Sequence, residues 1–370
     1  MTNSNDFDCV AETVELPSDS LLTILGSRYC YVTGPDGAEI PSQLTHDGKL
    51  IFQATVAAGG SGEYNIHPSD TLHSYTSTVS GRIYPERADD IAWENENVGF
   101  RIYGPATQAK GEKAFGYDIF FKHPTSELIL ERLYEPETSP ATWQKVDSLR
   151  AIDPALAEEF IRSFSYHIDH GLGMDCYAVG PTLGAGVAAL TDNDSICFPW
   201  CYEHAEVMDN GPLRFTVRLD FAPVKIGADT AVTEHRLVTL DANSYLNRCK
   251  VWYDGLSGTA PRTIVAGFPR RDDSTAVMDT AGGILAYADP TQGPDNGKAM
   301  LGLVMTHPAD SMLETAGHIL AFTKIAPSDT LGYNWGFAWD RGNISDMTTW
   351  EAYLGHRSVI GARPLTVTYK

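Results

Sequence analysis

Apolar residues in this chain fall mostly in short, partly alternating runs closed by turn residues. Leu21-Leu-Thr-Ile-Leu and Tyr29-Cys-Tyr-Val-Thr lead into Gly34-Pro-Asp-Gly, a strong turn signal. Leu50-Ile-Phe-Gln-Ala-Thr-Val ends in Ala-Ala-Gly-Gly-Ser-Gly. Residues 98–103, 117–122, 213–221, 235–240, 249–253, 300–305 and 365–369 carry β-branched or aromatic side chains with the same partial alternation, which predicts strands. Helical spacing is rare. The best case is 154–164, with Asp153 as N-cap and Pro154 at the first helical position; a shorter one spans 345–354. So many closely spaced strands predict a mainly β protein, a large two-sheet antiparallel β-sandwich with one or two short helices. Residues 1–20 are polar and predict a flexible N-terminal arm. No repeat, low-complexity tract or linker divides residues 21–370, which predicts a single β domain. The stretch 134–154, rich in Pro, Glu and Ser, predicts a long excursion.

Charge narrows the partners. The 370 residues carry a formal net charge of −21, which argues against a nucleic-acid backbone or an anionic membrane as partner. No apolar run is long enough to cross a bilayer as a helix. The first residues have neither a basic nor an apolar leader segment, so the chain as it stands is expected in the cytoplasm, or in the periplasm if a leader was removed. The six cysteines do not form paired CxxC motifs, so a zinc ribbon is not expected and free thiols are. A Cys197–Cys201 bridge is expected only in an exported protein.

Three segments concentrate chemistry. The first, Tyr84 to Tyr103, packs Arg87, Asp89, Asp90, Trp93, Glu94, Asn95, Glu96, Arg101 and Tyr103 into one span. An aromatic platform with planar polar groups suits a sugar, and an arginine fork suits a carboxylate. A charged loop with internal ion pairs explains the same composition equally well. The second, Tyr166-His-Ile-Asp-His-Gly-Leu-Gly-Met-Asp-Cys-Tyr, gathers His167, Asp169, His170, Asp175 and Tyr177 among glycines. These are proton-transfer types, and a neighbouring carboxylate fixes an imidazole tautomer. A divalent metal on His167, Asp169, His170 and His204 is the weaker alternative, since no standard zinc spacing matches; no cofactor is expected. Gly180-Pro-Thr-Leu-Gly-Ala-Gly lacks the Lys and Ser/Thr of a phosphate loop. In the third segment Glu234 and Arg236 share one strand face, as a site wall or an ordinary sheet surface. Trp335, in Tyr333-Asn-Trp-Gly-Phe-Ala-Trp-Asp, is either a stacking wall or core. No Ser/His/Asp elbow or Cys/His nucleophile motif is present.

Asp36-Gly-Ala-Glu-Ile-Pro-Ser-Gln, Asp209-Asn-Gly-Pro-Leu-Arg and Leu240-Asp-Ala-Asn-Ser-Tyr-Leu-Asn resemble the β-supersandwich of galactose-mutarotase-like proteins, also seen in the C-terminal part of family 38 α-mannosidases. The blocks Tyr84-Pro-Glu-Arg-Ala-Asp-Asp-Ile-Ala-Trp-Glu-Asn-Glu and His167-Ile-Asp-His-Gly-Leu-Gly-Met-Asp-Cys-Tyr-Ala-Val-Gly-Pro-Thr-Leu-Gly more closely resemble a bacterial domain-of-unknown-function family, number 4861, from about residue 20 to the end. That resemblance implies a place in polysaccharide degradation. Supersandwich relatives include lyases and epimerases, and an oligosaccharide dehydratase acting on uronic acid ends is grouped with them.

Together these imply β-elimination on a uronate-containing oligosaccharide, as a carbon–oxygen lyase of dehydratase or polysaccharide-lyase type. Arg87 or Arg101 would neutralise the carboxylate. His170 or His167 would be the base and Tyr177 the acid, with Asp169 or Asp175 orienting the imidazole. Asp90, Trp93, Glu94, Asn95, Tyr103, Glu234 and Trp335 would line the sugar. The alternatives are a sugar epimerase or mutarotase using Glu234 and a histidine, and a non-catalytic carbohydrate-binding module. A module has no use for the His/Asp/Tyr cluster.

Overall fold

The structure is a computed structural model that describes residues 1–124 and 127–369. Alternation along the strands builds a sandwich. One layer is a nine-stranded antiparallel sheet, ordered Tyr202–Asn210, Arg214–Phe221, Asp229–Asp241, Leu246–Asp254, Leu331–Trp339, Lys298–Met305, Ile284–Pro290, Val277–Asp279, with Val224–Ile226 pairing beside Asp229–Asp241. Two five-stranded sheets form the facing layer, and their inward residues share one apolar core with the large sheet. Trp335 stacks flat on Tyr117 at 3.9 Å near its centre. The expected mainly β sandwich is what forms.

Several local expectations give way. Leu21–Leu25 lies in a helix, Ser18–Leu25, not a strand. Leu21, Leu22 and Leu25 fit one helical face against the N-terminal core, and Gly26 closes the helix at φ 61°. The expected flexible arm contains a strand, Cys9–Pro17, paired along Lys49–Val56, and the buried Asn3 amide donates to the Val56 carbonyl. Residues 365–369 hold only an isolated bridge, Thr366 to Thr2. The excursion is helical: Leu130–Thr138 and Pro140–Ile152 precede the expected helix, Pro154–Arg162, which the Asp153 side chain caps. The second expected helix runs longer, Met347–Ala362, and lies on the outer face of the large sheet, where Trp350 fills the space left by Gly302. With Pro105–Ala109, the described residues contain six α-helices rather than one or two. Among them none is long and apolar enough to cross a membrane. Cys197 and Cys201 are free thiols, like the other four cysteines.

The sheet that matters most here is the meander Val79–Tyr84, Asp90–Asn95, Gly99–Ile102, Asp118–Lys122, Gly173–Met174. Ile91, Trp93, Phe100, Ile119 and Phe121 enter the central core. The alternate residues, Asp90, Ala92, Glu94, Arg101, Asp118, Phe120 and Lys122, fall on the opposite face, where Ala92 and Phe120 pack with Tyr134 of the excursion.

Candidate functional site

That outer face holds ionic groups almost sealed from water. Arg101 and Asp118 are direct cross-strand partners. The Arg101 side chain is 1% exposed, Asp118 0% and Asp175 2%. Arg101 Nε donates to Asp118 Oδ2 at 3.0 Å, and its Nη2 donates to Asp118 Oδ2, to Asp175 Oδ2 at 2.7 Å and to Tyr103 Oη at 2.9 Å. Tyr103 Oη in turn donates to Asp118 Oδ2 at 2.9 Å. One cation thus serves two carboxylates, the arrangement that makes buried charge tolerable. Burial, then the Asp118 charge, pushes the Asp175 carboxyl up to about 6 against the pull of Arg101. Asp90 lies at the edge of this cluster. Its Oδ1 accepts from the Gly104 amide at 2.8 Å, while Oδ2 has no hydrogen-bond partner among the described residues and stands 3.6 Å from Arg87 Nη1. Burial raises it to about 6.

The cluster reaches solvent through Arg87 and His167, whose side chains are 29% and 53% exposed. Tyr166 Oη accepts from Arg87 Nε at 3.1 Å and from Arg101 Nη1 at 3.5 Å. Its own proton goes to no protein acceptor among the described residues, so the phenol is a donor held between two guanidinium groups. His167 adjoins it, with ring centroids 4.5 Å apart. His167 Nδ1 lies 2.9 Å from the Asp175 carbonyl and 3.7 Å from Asp175 Oδ2. A carbonyl can only accept, so this bond requires the proton on Nδ1 and leaves Nε2 with a free lone pair. An exposed imidazole thus stands beside a phenol that is itself 1% exposed, with two arginines bonded to the phenol oxygen.

Of the residues singled out in the sequence, Arg87, Asp90, Arg101, Tyr103, His167 and Asp175 meet here. Others do not. Trp93 is a core residue whose Nε1 donates to Asn247 Oδ1 at 2.8 Å. Glu94 accepts from Lys122 Nζ at 2.6 Å and from the Ile129 and Leu130 amides at 2.9 and 2.7 Å, and so anchors the start of the first excursion helix. Asn95 Nδ2 donates to the Asp241 and Ser244 carbonyls at 2.8 and 2.7 Å, tying the two layers together. Trp335 is fully buried. Glu234 pairs with the buried Arg236, at a crevice of about 20 Å³ that admits a water but no sugar ring. Asp169 takes His123 Nε2 at 2.6 Å instead of His167 or His170, and His170 is exposed. His204 lines a separate cleft. The four residues of the metal alternative are thus divided, and among the described residues no group of three or more His, Cys, Asp or Glu side chains is placed to hold a metal ion. Tyr177 has a buried hydroxyl without a hydrogen-bond partner among the described residues, and the Arg271 guanidinium lies 5.0 Å from its ring centroid.

Sequence reasoning missed Tyr166 and Asp118. Asp118 had a signal. It and Lys122 are the two charges on a strand that is otherwise apolar, both on one face, and a buried charge needs a partner. Tyr166 had none, because only the path of the excursion brings it to the arginines.

A family described as "Domain of unknown function (DUF4861)" matches residues 1–367. The chain is also 26% identical over 264 residues to a protein called "Uncharacterized protein P7" of Formosa agariphila, an alignment covering 68% of this chain and 62% of that protein. The chain thus spans less than two thirds of that relative.

Proposed function

We propose, from the premise that the chain belongs to the DUF4861 family and from the Tyr166–His167 pair, that this protein is a carbohydrate-active enzyme performing β-elimination on a uronate-containing oligosaccharide. The observation that carries the reading is an exposed imidazole with its Nε2 free, next to a phenol held by two guanidinium groups. The C5 proton of a uronate is α to the carboxylate. Arg87, the more exposed of the two arginines, pairs with that carboxylate and stabilises the enolate-like intermediate. Arg101 is committed to Asp118 and Asp175 and acts through them and Tyr166.

His167 Nε2 takes the C5 proton, and the electron pair forms the C4–C5 double bond as the C4–O4 bond breaks. Tyr166 protonates the departing O4, and its phenolate is held by Arg87 and Arg101 until the proton returns through His167. If O4 carries a sugar, the chain is cleaved; if it is a hydroxyl, water leaves. The Asp175 carbonyl fixes the imidazole tautomer and the Asp175 carboxylate steadies the imidazolium.

Incubation with a panel of uronate oligosaccharides, followed by ultraviolet absorbance and product mass, tests this. New absorbance with loss of water marks a dehydratase, and new absorbance with shorter chains marks a lyase. Isomerisation at constant mass, or binding without any change, would sink the elimination reading.

A further inference from the structure

A cleft lies in elements hydrogen-bonded to this site. Its volume is about 640 Å³, and it is lined by Pro105, Ala109, Trp200, Tyr202, Glu203 and His204, among others. The elimination chemistry above uses none of them. Trp200 is 46% exposed, unusual for an indole in a chain that buries most of its large side chains. Its ring is backed by Phe115 at 6.3 Å, which stacks on Phe198 at 5.7 Å, so the platform is held in place. Glu203 and His204 are exposed at the same wall. An aromatic face next to groups that donate and accept hydrogen bonds is what an apolar sugar face ringed by hydroxyls requires. No Lys or Arg lines the cleft, whereas Glu203 does. That polarity favours a neutral ring over a uronate.

Two hydrogen bonds connect the cleft's lining to the segment that carries Arg87, Asp90 and Tyr103. Tyr202 Oη donates to the Asp89 carbonyl, and Cys201 Sγ donates to the Tyr103 carbonyl at 3.6 Å. Asp89 belongs to the left-handed turn Ala88-Asp89, with φ 55° and 61°, which separates Arg87 from Asp90. Arg87 thus leads directly into the turn on which Tyr202 rests, and Tyr103 is tied to Cys201 behind it.

We infer that the Trp200 cleft is a binding subsite for a neutral glycosyl unit of the same oligosaccharide, adjacent to the unit held at Arg87 and His167. This rests on the elimination reading for the identity of its neighbour, but the cleft binds sugar by its own groups.

The test uses the full chain and its Trp200→Ala and Trp200→Phe variants, with folding checked by circular dichroism. The probes are neutral and uronate-containing di- and hexasaccharides, in saturation-transfer NMR and in the absorbance assay. The expected result is saturation transfer to a neutral ring of at least one hexasaccharide, with affinity at least tenfold weaker in Trp200→Ala and largely restored in Trp200→Phe. In the absorbance assay, Trp200→Ala raises KM at least tenfold more for the hexasaccharide than for the disaccharide. Trp200-dependent binding without elimination would support the cleft and overturn the elimination reading. Elimination with no Trp200-dependent change in affinity or KM for any hexasaccharide would overturn the cleft and leave the elimination reading standing.

Discussion

Arg101 and Asp175 meet at 2.7 Å in a space from which water is almost excluded, and they join two parts of the chain 74 residues apart. Arg101 lies on a strand of the small meander, and Asp175 follows the short strand Gly173–Met174 at that sheet's edge. The contact decides where His167 stands, because the Asp175 carbonyl holds the imidazole while its carboxylate is held by Arg101. The segment carrying His167 and the segment carrying Arg87 and Arg101 are joined through this pair.

Replacing Arg101 by Met should therefore be costly. It leaves Asp118 and Asp175 facing each other without a cation, and breaking a buried pair by removing one partner costs about 3–5 kcal/mol. Urea unfolding of Arg101→Met should show a loss of that size with little change in m-value. Restoration of most of the loss by Arg101→Met with Asp118→Asn would identify uncompensated charge as the cause.

Arg87 is predicted to act on the substrate rather than on the fold. Its side chain is 29% exposed, and its contacts are Tyr166 and a long one to Asp90. A charge-assisted hydrogen bond is worth about 1.5–3 kcal/mol, so Arg87→Ala should lower kcat/KM on a uronate substrate by roughly tenfold to a hundredfold or more. The same variant should show a much smaller loss on the uronate methyl ester, which has no carboxylate charge. Equal losses on both would show that Arg87 does not recognise the carboxylate.

Asp289 gives a prediction in pH. It is 0% exposed, its Oδ2 is paired with Arg271 Nε at 3.1 Å, and burial, opposed by Arg271, raises it to about 7. A carboxyl raised in the folded state contributes stability below its unfolded value near 4, and that stability fades as pH rises through about 7. Asp289→Asn should remove this loss. Relative to the parent, its Tm should rise on going from pH 4 to pH 8, by up to about 4 kcal/mol in stability at 1.36 kcal/mol per pH unit. A difference in Tm that does not change with pH would refute the assignment.

The sheet framework was legible in the sequence because strand alternation is local. The runs at 29–33 and 249–253 largely alternate in burial, whereas 118–122 is buried throughout and 50–56 mostly so, and these two were read from their β-branched and aromatic content. The helices were harder. Leu21–Leu25 is a short apolar run that suits either state, and only the N-terminal core it packs on decides for helix. The excursion carries Pro136 and Pro140, which read as breakers, although Pro140 occupies a first helical turn where proline is tolerated.

The candidate site was legible only in part. Arg87, Asp90, Arg101, Tyr103, His167 and Asp175 were visible as clustered chemistry, but the same clustering also pointed to Trp93, Glu94 and Asn95. Adjacent strand residues point to opposite faces, so Trp93 enters the core while Glu94 turns to Lys122. Sequence density cannot separate the two faces until the register is known. Tyr177 was a reasonable acid by residue type, and both tyrosines are buried, but Tyr177 lies beside Arg271 whereas Tyr166 stands next to His167.

In the proposed reaction Tyr166 and His167 move the protons. Single-turnover absorbance on a uronate oligosaccharide accepted by the parent chain, compared with Tyr166→Phe and His167→Ala, tests it most directly. Each variant is expected to keep substrate affinity within a few-fold and to lose at least about a hundredfold in the rate of double-bond formation, consistent with the roughly 10²–10⁴ range for positioned acid–base groups. Near-parental rates in both variants would contradict it.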